Sequence, residues 1–267
     1  MADNPYAYKK SKNTYTPGQA SAFKLSRSKI DLFTECKRCF FLDRRFGIGR
    51  PQMPAFTLNI AVDALMKKEF DIHRAEETAH PLVKKYKVDA VPFQHEKMTE
   101  WRTNFTGVQA LYKPANFLIF GAVDDIWVNP EGELMVVDYK ATSKEGVVDK
   151  LEDTKWHNQY RRQMEVYQWL LKGNGFAVSD TGYFVYVNAQ KDKKAFDGKL
   201  EFDVNLIAYT GSSDWVPGIL DEIKKLLDSD EIPESGDDCD YCKFRTFAGE
   251  AMKEQVKSNA KTKKLFK

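Results

Sequence analysis

Apolar positions recur at helical spacing toward both ends of the chain and at strand spacing in the middle. From Ser28, the positions Ile30, Phe33, Cys36, Phe40 and Phe41 share one helical face, and Gly47 and Gly49 then end the run. A second helical stretch covers about residues 57–78, with Leu58, Val62, Leu65, Met66 and Phe70 on its apolar side. The period then changes. FLIFGAVDDIWV and LMVVDYK are β-branched and aromatic runs separated by Asn129-Pro130-Glu131-Gly132, a turn signal, and together they predict a hairpin. Helical spacing returns from about Thr154 to Lys172 through Tyr160, Met164, Tyr167 and Leu171, closed by Gly173-Asn174-Gly175. TGYFVYVN and KLEFDVNLIAY read as further strands, and Ile219, Ile223, Leu226 and Leu227 mark a helix from about Asp214 to Asp228. Strands flanked by helices before, between and after them predict a mixed α/β domain.

The flanks differ from this core. Residues 1–24 are rich in Lys, Asn, Ser, Thr, Pro and Tyr without apolar periodicity and read as a flexible tail. The domain is expected over residues 25–247, with a basic tail, frayed helix or solvated chain, over 248–267. The 267 residues are 42% apolar and 30% charged, which fits neither a disordered tract nor a membrane protein. Lys plus Arg total 41 against 39 for Asp plus Glu, so any basic surface must be local. No apolar run approaches the roughly 18 residues of a membrane span, and MADNPYAYKK lacks the apolar segment of a secretory signal, so a cytoplasmic protein is expected. The four cysteines form two close pairs, Cys36/Cys39 and Cys239/Cys242, a pattern of metal ligation rather than of disulfides. By count, four thiolates suit a [4Fe-4S] cluster or a tetrahedral Zn²⁺ equally; spacing alone favours zinc.

The hairpin carries the candidate chemistry. Asp124 and Asp138 are equidistant in sequence from Glu131, so a symmetric register sets them opposite each other, with Cα atoms about 4.5–5.5 Å apart. Like charges so placed repel, and a cation is expected between them. Strand alternation puts Lys140 on the same face as Asp138. Two carboxylates and an ammonium suit phosphodiester hydrolysis assisted by a divalent ion, with Lys140 orienting or deprotonating water or acting as a fixed cation. The alternative is a solvated sheet face with Lys140 as an ordinary ion-pair partner, and a one-residue slip would bring Asp125 forward instead.

Gly121-Ala-Val-Asp124, Val136-Val-Asp138-Tyr-Lys140 and Gln163-Met-Glu-Val-Tyr167 follow one another in an order and spacing that resembles the PD-(D/E)XK nuclease superfamily in its RecB-like branch. The resemblance implies a restriction-endonuclease-like core, a mixed β-sheet flanked by helices, and a metal-dependent deoxyribonuclease. It assigns Mg²⁺ or Mn²⁺ to Asp63, Asp124, Asp138 and the backbone carbonyl of Tyr139, with Lys140 as catalytic cation and Gln163 and Tyr167 touching the DNA backbone or positioning water. Where the branch often has His on the early helix, in a pattern like Ala-Val-His, this chain reads Ala61-Val62-Asp63, an oxygen donor. Glu69 is a weaker substitute.

The likeness reaches both ends. Ser28-Lys-Ile30 through Cys36-Lys-Arg-Cys39-Phe-Phe-Leu42 is similar to the opening helix of the iron-sulfur members, the CRISPR-adaptation exonucleases and AddB-type helicase-nucleases, and Cys239-Asp-Tyr-Cys242 resembles their closing motif. Those members typically place one cysteine early and three late, whereas here the count is two and two; the resemblance nonetheless favours the [4Fe-4S] cluster, with the metal joining the two ends of the fold. It also implies an exonuclease-like role in DNA repair, recombination or defence on single-stranded DNA or free ends. No Gly-x-x-x-x-Gly-Lys-Ser/Thr loop is present, so unwinding would fall to a helicase or recombination partner. The rival class is a catalytically inactive DNA-binding or scaffold module with the same fold, which Asp63 in place of His favours. Trp156, Tyr160, Arg161 and Arg162, and separately Lys37, Arg38, Arg44, Arg45 and Arg50, are candidate strips for DNA contact, each also readable as a charged helix face.

Overall fold

The computed structural model describes residues 10–51 and 54–265, with side chains described up to residue 257. The chain divides into two compact units. One draws on the two ends, up to Ala20, Lys29–Gln52 and from Glu222 onward, and the other comprises Ser21–Ser28 and Met53–Asp221.

The second unit holds both sheets, each mixed. In the smaller, β1 (Phe23–Ser26) runs parallel to β4 (Phe117–Gly121), which pairs antiparallel with β3 (Val108–Tyr112). The larger has the order β2-β5-β6-β7-β8, where β2 is Val91–Pro92, β5 is Asp125–Val128, β6 is Leu134–Thr142, β7 is Thr181–Ala189 and β8 is Phe202–Thr210. β6 and β7 are parallel, so the chain must cross over between them, and helix α6 (Lys155–Gly173) makes that crossing. Thr154 starts α6 by accepting the His157 N–H at 3.2 Å. Thus the mixed sheet flanked by helices that the sequence predicts is present.

Helix α3 (Thr57–Ala75) covers one face of the larger sheet, packing Met66 and Phe70, with half-buried Val62, against Trp127, Val137, Tyr139, Val185 and Val187. Leu58 and Leu65, expected on that face, are exposed at 58% and 63%. The buried face is rotated toward the side that carries Asp63, Lys67 and Arg74, so polar side chains take inward positions that an apolar pattern assigns to leucine.

Three boundaries differ from the pattern. The run Phe117–Val128 is not one strand: it breaks at residues 122–124 into β4 and β5, which belong to different sheets. There the Val123 N–H leaves strand pairing for the Trp101 carbonyl at 3.1 Å, and a side chain on Gly121 would lie 2.6 Å from Tyr167 Cε1, so β4 ends where α6 passes. The opening helix is two, α1 (Arg27–Glu35) and α2 (Lys37–Phe46), because Cys36 is extended (φ −161°) and its sulfur caps α2 by accepting the Cys39 N–H. Finally, the described part of the amino-terminal stretch is held by contacts, and the carboxyl-terminal stretch is helical, one of the two forms expected for it. Residues 1–9 lie outside the described residues, but Ser11 N–H bonds the Gly47 carbonyl at 2.8 Å and buried Tyr15 donates to Asp228 at 2.7 Å. At the other end, α8 (Asp240–Leu265) is a continuous helix, and residues 266–267 lie outside the described residues.

Candidate active site and four-cysteine site

The β5–β6 register runs from Asp125↔Val137 to Val128↔Leu134, symmetric about Glu131 as expected, and Asp124 and Asp138 come next in line. Alternation then sorts the neighbouring acids to opposite faces. Asp125 is fully buried: its carboxylate accepts from Tyr139 Oη at 2.7 Å and the Ile126 N–H at 2.7 Å, pairs with Arg102 at 3.1 Å and contacts Arg74. Arg102 also donates to the Asp124 carbonyl at 2.9 Å and grips Asp71 at 2.8 and 2.9 Å. This network, which sequence reasoning missed, ties the backbone of Asp124 to the core.

Asp124 turns the other way. One of its oxygens accepts the Tyr139 N–H at 3.0 Å, and the other faces Lys67 Nζ at 3.2 Å, while Lys67 also donates to Asp63 at 2.8 Å. Asp138, wholly buried, ion-pairs with Lys140 and accepts Gln163 Nε2 at 2.8 Å. Gln163 joins the remaining candidates: its Oε1 accepts from Lys140 at 3.2 Å, and its Nε2 reaches Tyr167 Oη at 3.1 Å. Their i, i+4 spacing on α6 presents both to the site. Lys140 Nζ lies 4.4 Å from the centroid of the Tyr160 ring. Asp63, Asp124, Tyr139, Lys140 and Tyr160 line a cavity of about 390 Å³, bordered also by Phe56 and Asn59.

Asp63, Asp124, Asp138 and Lys140 therefore lie in one region, whereas Glu69 and Asp125 face elsewhere. The single cation expected between Asp124 and Asp138 is replaced by two lysines: Lys67 bridges Asp63 and Asp124, and Lys140 pairs with Asp138. The Asp63/Lys67 spacing of i, i+4 was visible in the sequence; its closure onto Asp124 was not.

The electrostatics follow from burial. Asp138 is pushed up to about 6, because burial penalises its charged form and Asp124 repels it, against the pull of Lys140 and Arg27. Burial and Asp124 likewise raise Asp63, with Lys67 opposing. Burial alone would lower the two ammoniums, but neighbouring carboxylates more than offset it: Asp138 and Asp124 hold Lys140 above its usual value, and Asp124 and Asp63 do so for Lys67. Both lysines are thus cations at neutral pH.

By chemistry the residues suit a hard divalent ion: Asp63, Asp124 and Asp138 supply oxygen donors, and the Lys67 ammonium is a stand-in cation between the first two, although as the side chains stand the three carboxylates are not gathered closely enough to share one ion.

Other candidates separate from this region. Glu69 pairs with His80 at 2.8 Å. Arg161 is committed to the Leu151 carbonyl at 2.9 Å and to Asn158, whereas Trp156 is 69% exposed. The early basic strip is largely engaged within the protein: Arg38 bonds Glu234 and the Pro233 carbonyl, Arg44 bonds Asp43, Arg45 bonds the Ser229 carbonyl, and Lys37 pairs with Glu222.

In the unit built from the two ends, Cys36, Cys39, Cys239 and Cys242 are buried, with all four sulfurs within 4.8 Å of one another. Cys36 Sγ accepts the N–H groups of Gly236 at 3.2 Å and Cys39 at 3.4 Å, and these bonds bring its thiol down to about 7 although burial acts the other way. Arg50 and Arg245, which sequence reasoning did not connect with the cysteines, donate to their sulfurs. Among the described residues this is a group able to hold a metal ion as it stands.

A carboxylate hairpin that leads through a helix to a parallel strand, with a lysine two residues beyond the second acid, has the layout of the nuclease class that the sequence resembles. The chain matches the family model of the PD-(D/E)XK nuclease superfamily over residues 24–247, and it belongs to that superfamily. A search of curated proteins finds no match. No helix among the described residues is long and apolar enough to cross a membrane.

Proposed function

We propose that the protein is a metal-dependent deoxyribonuclease of the RecB-like branch that hydrolyses phosphodiester bonds at free or unpaired strand ends. One observation supports this reading: Asp124 and Lys140 line one cavity of about 390 Å³, and Lys140 and Asp138, paired on β6, are linked through Gln163 to Tyr167. Asp63, Asp124 and Asp138, with the Tyr139 carbonyl, would hold the Mg²⁺ or Mn²⁺. Bound there, the ion would supply Lewis-acid polarisation of the scissile phosphate. The protein's own groups do the rest. Lys140 offers a fixed positive charge where charge develops on the phosphoryl oxygens. Gln163 holds Lys140 and Asp138 in register, and Tyr167 holds Gln163. Phe56 and Tyr160, on the cavity wall, are rings on which unpaired bases can stack, which supports an opened strand as substrate. A helicase or recombination partner that delivers such strands fits this reading, in repair, recombination or defence.

The test is cleavage of end-labelled single-stranded, duplex and forked DNA with Mg²⁺ or Mn²⁺, beside Asp138→Ala and Lys140→Ala. Progressive shortening by the parent protein and none by the variants is expected; a parent that cuts nothing, or variants that cut equally, defeats the proposal. Fixed internal cuts would make it an endonuclease. A second reading, a DNA-binding module without turnover, is favoured by Lys67 lying between Asp63 and Asp124. It requires that Mn²⁺ fail to bind the protein while DNA still does.

A further inference from the structure

We propose that the four cysteines hold a single tetrahedral zinc ion, and not the iron-sulfur cluster that the family resemblance favours. The spacing of the sulfurs decides between the two. Cys36 and Cys242 are 3.7 Å apart, Cys39 and Cys242 3.6 Å, and Cys39 and Cys239 3.5 Å. Four thiolates that share one zinc at about 2.3 Å lie at the corners of a tetrahedron whose edge is about 3.8 Å. In a [4Fe-4S] cluster each thiolate binds a different iron and inorganic sulfide separates the irons, so the four sulfurs stand much farther apart. A quartet in which all sulfurs are within 4.8 Å of one another has room for one ion at its centre and none for a cubane.

The surroundings suit a closed structural site. All four cysteines are buried, so no open coordination position faces solvent. Each pair lies at the start of a helix, Cys36/Cys39 at α2 and Cys239/Cys242 at α8, where the helix dipole favours thiolate. Zinc with four thiolates carries a charge of −2, and two guanidiniums stand against it. Arg245 donates to Cys39 and Cys242 at 3.2 Å each, and Arg50 lies 3.6 Å from Cys239 while pairing with Glu35 at 2.6 Å. This charge balance would serve either centre, so it supports a metal, and the distances choose which. Gly236 completes the cradle: its N–H reaches Cys36, and a side chain there would overlap the Glu35 carbonyl oxygen. The ion would join the amino-terminal helix pair to the start of α8 and take no part in hydrolysis.

The inference does not depend on the nuclease reading. The full chain is produced in cells supplied with both iron and zinc, purified without oxygen, and assayed for metal content, acid-labile sulfide and visible absorption. The expected result is colourless protein with about one zinc per chain and no labile sulfide; exchange with Co²⁺ then yields the intense visible bands of tetrahedral cobalt thiolate. Brown protein with iron and labile sulfide in equal amounts overturns the proposal. One iron without sulfide overturns the zinc assignment, and metal-free protein with its cysteines in disulfides overturns the site altogether.

Discussion

Lys67 offers the sharpest test of the candidate active site, because its ammonium lies where the proposed divalent ion would be bound. It is 2.8 Å from Asp63 and 3.2 Å from Asp124, and all three side chains are only 21–34% exposed. At an effective dielectric constant near 20, each contact has a gross attraction of about 5 kcal/mol. Most of that is offset by the loss of hydration and by residual solvent screening, so removing both contacts should free about 1–2 kcal/mol for a competing cation. Lys67→Met keeps the length of the side chain and deletes the charge. It should therefore tighten Mn²⁺ binding by about 5–30-fold, read by calorimetry or by loss of the free-ion paramagnetic resonance signal at fixed ionic strength. Without metal, the same variant leaves Asp63 and Asp124 facing each other uncompensated. Its unfolding midpoint in chelator should fall below that of the parent and recover when Mn²⁺ is added. Because Lys67 opposes the upward shift of Asp63, its removal lets protons compete better for that carboxylate, and metal binding by the variant should weaken earlier as pH falls. If Lys67→Met binds Mn²⁺ no more tightly than the parent, the ion does not use the Asp63–Asp124 pair, and the ligand set proposed above is wrong.

Lys140→Ala should lower cleavage by about 10²-fold or more while the far-ultraviolet circular dichroism stays native, since in the proposed reaction it removes the fixed charge that would face the scissile phosphate; retention of full turnover would refute that role. Asp138 titrates at about 6, and its carboxylate is the ligating form, so Mn²⁺ affinity should decline as pH drops through that value, more steeply in the parent than in Asp138→Asn. In metal-free protein the sign reverses. The folded state holds the Asp138 proton more tightly than the unfolded chain does, so from this group stability rises as pH falls from about 7 toward 4, an increment that denaturation of Asp138→Asn should lack. Arg102→Met leaves the buried Asp125 with one guanidinium fewer and should cost about 3 kcal/mol in chemical denaturation, with metal affinity reduced because the Asp124 carbonyl loses its anchor. Gly236→Ala should lower the metal content of the cysteine site, measured per chain, because the added methyl group collides with the Glu35 carbonyl and pushes the loop away from Cys36.

What could be read in advance from the chain was local. Side chains alternate in direction along any strand, and that alone placed Asp138 and Lys140 of β6 on one face; the turn Asn129–Gly132 made the hairpin symmetric and brought Asp124 alongside. Gln163 and Tyr167 were paired by helical spacing. The parts that stayed hidden depend on contacts distant in sequence. Gly121 and the Asp124-Asp125 pair interrupt the apolar run, but nothing in them announces that the chain changes sheet there, where Tyr167, more than forty positions later, leaves no room for a side chain at Gly121. The cysteine spacing could be seen, but the guanidiniums that face the sulfurs come from Arg50 and Arg245, one beyond α2 and the other inside α8.

Helix α3 shows why an apolar pattern misleads most at a site of this kind. A helix that only covers a core turns its most hydrophobic side inward, and on that rule Leu58 and Leu65 should be buried. Here the inward side also has to deliver a carboxylate and an ammonium to Asp124 and a guanidinium to Asp125. The helix is therefore rotated until Asp63, Lys67 and Arg74 take positions that leucine would fill in a plain core helix. Lys67 and Arg74 are tolerated inside because Asp124 and Asp125 reach them from the β5 end of the hairpin, and Asp63 because Lys67 lies beside it; an unpaired charge there would cost several kcal/mol. The exposure of two leucines is thus the counterpart of the ion-pair network, and both follow from a single rotation of α3 that brings Asp63 and Lys67 to the acids of the sheet.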